Sequence, residues 1–235
     1  MSNAPYELHI GNKNYSSWSL RPWILLKALD IPFIEHQHYF TPDNSAFKTF
    51  SPTALVPCLI DGQDTKKITV WDSLAIAEYI HEDHPAVWPA NREARSFARS
   101  AAAEMHSGFG ALRSLCSMSV GIRVKMFDTP PALIRDLARI DDIWRTGLSS
   151  FGGPFLAGSR FTAADAFYAP VIFRIQTYGV GFDLSKTARA YVDFMLQQPA
   201  MQAWYEAGIA ETERDAAHEA EIAAVGEVIA DYRAK

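Results

Sequence analysis

The chain has 235 residues, 49% of them hydrophobic, enough to fill the core of one large or two small domains. Its net charge of -5 and the lack of any lysine or arginine run give no basic footprint for nucleic acid or an anionic membrane. No apolar stretch approaches the ~18 residues that span a bilayer, and the opening MSNAPYELHIG has no basic-then-apolar leader. Two isolated cysteines, Cys58 and Cys116, suit a reducing compartment, so a cytoplasmic location is expected.

Residues 6–10 read as a short strand, followed by a break over 11–19 and a helix marked by the apolar periodicity of 23–29. Residues 33–40 hold branched and aromatic side chains of a second strand, with His36 and His38 on one face. Residues 58–60 and 68–71 form two more strands around Asp61-Gly62, whose turn chemistry predicts a hairpin. Asp72-Ser73 opens a helix whose apolar face carries Leu74, Ala77, Tyr79 and Ile80, ending before Pro85. The order is β-α-β, then β-β-α. Residues 88–91 look like a connector, and everything from Arg92 onward is helical in composition without an alternating strand. Helices are predicted at 96–115, 131–148, 163–176 and 188–197, with an Ala/Glu-rich helical tail over 213–234. The expected fold is thus α/β plus all-α: a first domain at 1–84, a linker at 85–93 and a helical domain at 94–235.

The stretch GNKNYSSWSLRPWILLKAL, residues 11–29, sets three serines around a tryptophan ahead of an apolar run. Pro22 lacks an N–H and is comfortable in a first helical turn, so the helix should begin at about 18–21. Ser16, Ser17 and Ser19 then stand at a helix N-terminus, where orphan amides and the macrodipole favour an anion by roughly 0.3–1 kcal/mol. A serine that merely caps the helix accounts for the same segment equally simply. Val56-Pro57 precedes a short strand, where proline spoils ladder pairing unless its peptide bond is cis. Asp72 and Ser73 present a carboxylate, a hydroxyl and orphan amides at another helix start, again open to a capping explanation.

Other chemistries are disfavoured. No Gly-x-Ser-x-Gly elbow marks a serine hydrolase, and SSWS stands where a dithiol exchanger would carry Cys-x-x-Cys. Cys58 reads as a buried inert thiol. His81-Glu82-Asp83-His84 reads as a solvated helix end, and no metal is expected. On one continuous helix Met105, Phe109 and Leu112 would share a face, and His106, Phe109 and Arg113 another. Thr162 and Asp165 have capping-box spacing and are read as structural.

Taken in order, Ser-Ser-x-Ser-x-Arg, Val-Pro, Asp-Ser-Leu-Ala-Ile and the later GSRFTAADAFYAP resemble the cytosolic glutathione transferases over nearly the whole chain, closest to their serine-using, zeta-like classes. Those classes carry a cysteine where this chain has Trp18. The resemblance implies a thioredoxin-like first domain with glutathione as co-substrate. Val56, next to cis-Pro57, would pair with its cysteinyl backbone, while Ser73 takes the γ-glutamyl carboxylate and Asp72 faces the ammonium. Ser16, with Ser17 as second candidate, would donate to the sulfur. A small electrophile would lie between the domains, against Trp18, Met105, Phe109, Arg113 and Tyr178. The zeta-type isomerases carry an arginine about two turns beyond the proline corresponding to Pro170, near Thr177 here, and Arg174 falls one turn earlier. Glutathione transfer is therefore the main expectation, with a maleylacetoacetate-type isomerase or peroxidase as alternative. A non-catalytic interaction module is the competing class. The resemblance also implies a twofold homodimer.

Overall fold

The computed structural model describes residues 6–62, 67–181 and 183–235. Alternation turns Tyr6, Leu8 and Ile10 of β1 (Tyr6–Ile10) into the core, leaving Glu7 and His9 on the opposite face. The chain returns through α1 (Ser17–Ala28) to β2 (Phe33–Gln37), which pairs parallel with β1. β3 (Cys58–Asp61) pairs antiparallel with β1 and with β4 (Ile68–Trp71), giving the strand order β2-β1-β3-β4. The predicted hairpin pairing is present, and its turn beyond Gly62 lies outside the described residues. With α2 (Ser73–Asp83) the β-α-β, β-β-α order is complete, as a thioredoxin-like half requires.

α1 starts slightly earlier than the proline signal predicts. Ser16 captures the Ser19 N–H as the N-cap, so the helix begins at Ser17 and Pro22 falls in its second turn. Local capping, not the proline, fixes the first residue.

The second half is helical with two departures from expectation. α3 (Arg92–Ser107) and α4 (Gly110–Leu115) replace the single predicted helix, because the chain breaks at Gly108 and at Phe109, which is left-handed at φ 56°. Both sides of the break are satisfied: Arg113 donates to the Met105 and His106 carbonyls at 3.2 and 2.6 Å, and Asp136 accepts the Leu112 N–H at 3.0 Å. Met105 and Phe109 consequently do not share a helix face. α5 (Pro131–Phe151), α6 (Ala163–Tyr178), α7 (Lys186–Leu196) and α8 (Pro199–Ala210) follow. The acidic tail is helical only in α9 (Ala216–Val225), then turns into β6 (Gly226–Asp231), antiparallel to β5 (Ile122–Met126). The strand switch occurs at Gly226, where a Cβ would meet Val124 Cγ1 at 2.5 Å and the Lys125 carbonyl oxygen at 2.7 Å.

Asp165 is fully buried and accepts from the Leu156 N–H, the Thr162 N–H and hydroxyl and the Tyr191 hydroxyl, at 2.9–3.1 Å, which bears out its structural reading. One continuous apolar core runs from Leu8 through α1 to α6 and α8, with Trp23 and Trp204 edge to face at 5.0 Å across the two halves.

Candidate active site

The first turn of α1 opens onto a cleft of about 340 Å³ between the two halves of the chain. Ser16, Ser17, Trp18 and Val56 line it from the first half, and Arg113 and Arg174 from the second. The two serines are differently occupied. Ser16 Oγ donates to Ser19 Oγ at 2.7 Å while accepting the Ser19 N–H, and Ser19 Oγ also accepts the Gly11 N–H at 3.0 Å. Ser17 Oγ instead accepts from Arg174 Nη2 at 3.2 Å, so its own proton remains free to donate into the cleft.

A second serine repeats this pattern. Ser73, at the start of α2, accepts from Arg21 Nη1 at 3.4 Å. Arg21 is 2% exposed and Arg174 6% exposed, and burial lowers their affinity for a proton to about 9 and about 10 respectively. Arg113 is pushed down by burial as well. Trp18 lies between two guanidinium groups, with Arg21 at 4.2 Å and Arg113 at 4.8 Å from its ring centroid. Among the described residues none of these three arginines pairs with a carboxylate. They contact hydroxyls, carbonyls and aromatic faces instead. Asp72 and Glu221 act on Arg21 and Arg174 from beyond ion-pair distance, and positive charge held out of water without a directly paired carboxylate favours an anionic ligand.

The loop ahead of α1 is gripped by the far end of the chain. Glu211 accepts the Lys13 and Asn14 N–H groups at 2.5 and 3.0 Å, and Asn14 Oδ1 accepts the Gly121 N–H at 3.1 Å. Tyr15 donates to Glu219 at 2.6 Å, and Arg233 ion-pairs with the same carboxylate at 2.5 Å. The position of Ser16 and Ser17 is therefore set partly by residues nearly 200 positions away.

The remaining expected residues divide cleanly. The Val56–Pro57 peptide bond is cis, and Val56 reaches the cleft. Asp72 caps α2 by accepting the Leu74 N–H at 2.8 Å and lies 3.5 Å from His106, whose ring meets Trp18 edge-on. Burial holds the His106 imidazole below its ordinary range despite that carboxylate. Asp72 and Ser73 thus connect to the cleft through His106 and Arg21 without lining it. Met105, Phe109 and Tyr178, expected in the electrophile pocket, are buried and do not line this cleft. Met105 and Phe109 are buried around the α3–α4 break, and the Tyr178 hydroxyl donates to the Ser117 carbonyl at 2.8 Å. Cys58 and Cys116 are buried free thiols whose burial pushes them up to about 11 and about 12, so neither is a nucleophile at neutral pH.

Sequence reasoning assigned no role to Arg21 and set Arg174 aside on its spacing. The signal was available as a single charge inside an apolar helical run, in SLRPWILL and in AFYAPVIFRI.

The family model described as the glutathione S-transferase N-terminal domain matches residues 15–83, and that for the glutathione S-transferase C-terminal domain matches residues 129–207. A zeta-class glutathione S-transferase of Euphorbia esula is 27% identical over 66% of this chain and 69% of its own. A probable maleylacetoacetate isomerase of Caenorhabditis elegans is 25% identical over 85% of this chain and 92% of its own. Among solved structures, a Burkholderia glutathione transferase homolog with bound glutathione superposes with a TM-score of 0.64 at 23% identity, covering 86% of this chain and 97% of that one. FzlA from C. crescentus superposes with a TM-score of 0.64 at 16% identity, covering 85% and 91%. This chain belongs to the glutathione S-transferase family.

Proposed function

We propose that the protein is a glutathione transferase that activates the glutathione thiol with Ser17 and accepts an electrophile carrying an anionic group. The observation that carries this reading is the pair of serines, Ser17 and Ser73, each accepting from a buried arginine and so left with a proton to donate to an anion. Ser17 would donate to the sulfur, assisted by the α1 N-terminus and the Arg174 charge behind it. Lowering a free thiol near pKa 8.5 by about two units needs ~2.7 kcal/mol, within reach of one charge-assisted donor and a helix end. Ser16 then serves as the cap that positions Ser17. Residues 1–84 would bind glutathione, with Val56 and cis-Pro57 along its backbone, Ser73 toward the γ-glutamyl carboxylate and Asp72 toward the ammonium. Residues 94–235 would shape the electrophile site, with Trp18 as its floor and Arg113 and Arg174 holding the substrate's negative charge.

A glutathione-dependent isomerase is the second reading, favoured by the same arginines and by the relatives named maleylacetoacetate isomerase. In transfer the thiolate adds and stays, whereas in isomerisation it adds to a double bond, permits rotation and leaves. Consumption of glutathione separates the two. The reading also includes a homodimer in the cytoplasm; among the described residues no helix is long and apolar enough to cross a membrane.

The test compares turnover of a carboxylate-bearing unsaturated electrophile with its neutral amide. The charged substrate should be favoured ~10–100-fold, the worth of one charge-assisted hydrogen bond, and Arg113→Gln should erase much of that preference. Glutathione binding without turnover of either substrate points instead to an interaction module.

A further inference from the structure

The face of the sheet turned away from the α1 core carries an unusual set of side chains. Alternation puts Glu7 and His9 on that face of β1, and the parallel register that sets His9 opposite His36 brings a third donor beside them. One ligand-capable atom from each of Glu7, His9 and His36 lies within 4.8 Å of the others. We infer that Glu7, His9 and His36 form a binding site for a zinc-like transition-metal dication.

The ring of His9 is already oriented for this. Its Nδ1 meets His38 Nε2 at 2.9 Å, while its Nε2 is buried and has no partner, in a side chain only 9% exposed. A nitrogen committed to a neighbour on one side of a ring and bare on the other is how protein imidazoles are set for a metal. Phe50 stacks on His9 at 4.2 Å and on His38 at 4.3 Å, fixing both rings. His36 Nε2 lies 3.0 Å from Glu7 Oε2, so these two already converge. Both are partly open to solvent, at 38% and 28% exposure, which provides a path of entry.

The donor set selects the ion. Two imidazoles and one carboxylate suit zinc and its neighbours, whereas calcium and magnesium require oxygen throughout. Cys58 stands opposite His9 on β3, but its Sγ is turned to the Phe50 carbonyl at 3.4 Å, so thiolate ligation is not part of the site. Tetrahedral zinc at ~2.0–2.1 Å needs ligand atoms ~3.4 Å apart. The His36 ring is stacked on His9 at 4.7 Å, so metal binding requires it to turn out of that stack, which its exposed side chain permits. Lys67 holds the other Glu7 oxygen at 3.2 Å, leaving Oε2 to exchange its contact with His36 for one with the metal. Three protein ligands leave a fourth position for water.

The experiment uses the full chain without a polyhistidine tag, titrated with zinc chloride by calorimetry and with cobalt chloride by visible absorption. One equivalent should bind, giving tetrahedral cobalt bands without thiolate charge transfer. Both His36→Gln and Glu7→Gln alter partly exposed residues, and each should weaken binding at least ~10-fold with the circular dichroism spectrum unchanged. Absence of stoichiometric binding, or binding that either folded variant leaves intact, overturns the assignment.

Discussion

Ser16 and Ser17 are adjacent in sequence and differ by one hydrogen-bond partner, and that difference decides their chemistry. Ser16 spends its proton on Ser19, while Ser17 faces Arg174. Arg174→Gln removes the charge behind the donor, so kcat/KM at neutral pH should fall ~10–100-fold and recover toward high pH, where thiolate forms unaided. A pH profile that keeps its original inflection contradicts this role. Asp165 offers a purely structural contrast, since Asp165→Ala strands the Leu156 and Thr162 N–H groups and the Tyr191 hydroxyl in the core. The cost should be about 3 kcal/mol or more in urea unfolding. Its role was legible because Thr-x-x-Asp is a local spacing. Arg21 and Arg174 were less legible because their partners, Ser73 and Ser17, lie 52 and 157 residues away.

At the scale of elements, caps and breaks follow from short-range chemistry, and some were misread for want of a distant partner. The α2 start was readable, since Asp72 directly precedes the apolar run. Asp72→Ala should cost ~1 kcal/mol of stability by loss of the cap, checked by denaturant midpoint. The α3–α4 break was not readable, because the Arg113 and Asp136 contacts that satisfy it come from outside the turn. Neither was β6: Ala/Glu composition favours helix, and the strand exists only because β5 lies alongside. The clasp of α9 and β6 on Tyr15 is pH-sensitive. Burial raises the Glu219 carboxyl, but hydrogen bonds from Arg233 and Tyr15 outweigh it and leave the group below its ordinary value of 4.5. Its contribution is therefore present above pH 4.5 and is lost as pH falls below it. Glu219→Gln should be less stable than the parent chain at pH 7, with the gap narrowing as the pH is lowered through that range.

At the scale of the molecule, the two halves foreseen from composition share one core. Trp23 of α1 meets Trp204 of α8, and α6 packs along α1. Thermal unfolding should therefore be a single cooperative transition, and Trp204→Ala should shift all of it, at a cost of ~3–5 kcal/mol. Two resolved transitions contradict that picture. The division into an α/β part and a helical part was legible in hydrophobic periodicity. The grip of residues 211–233 on the loop before α1 was not, because it joins the two ends of the sequence through Glu211, Glu219 and Arg233.

In the proposed function Ser17, with Arg174 behind it, turns bound glutathione into a thiolate. This role is tested most directly by titrating the ultraviolet thiolate absorbance of glutathione bound to the parent chain, Ser17→Ala and Ser16→Ala. The bound thiol should titrate ~2 units below the free value near 8.5, reverting in Ser17→Ala and largely retaining the shift in Ser16→Ala. An unshifted thiol in the parent chain, or a shift that survives in Ser17→Ala and disappears in Ser16→Ala, contradicts it.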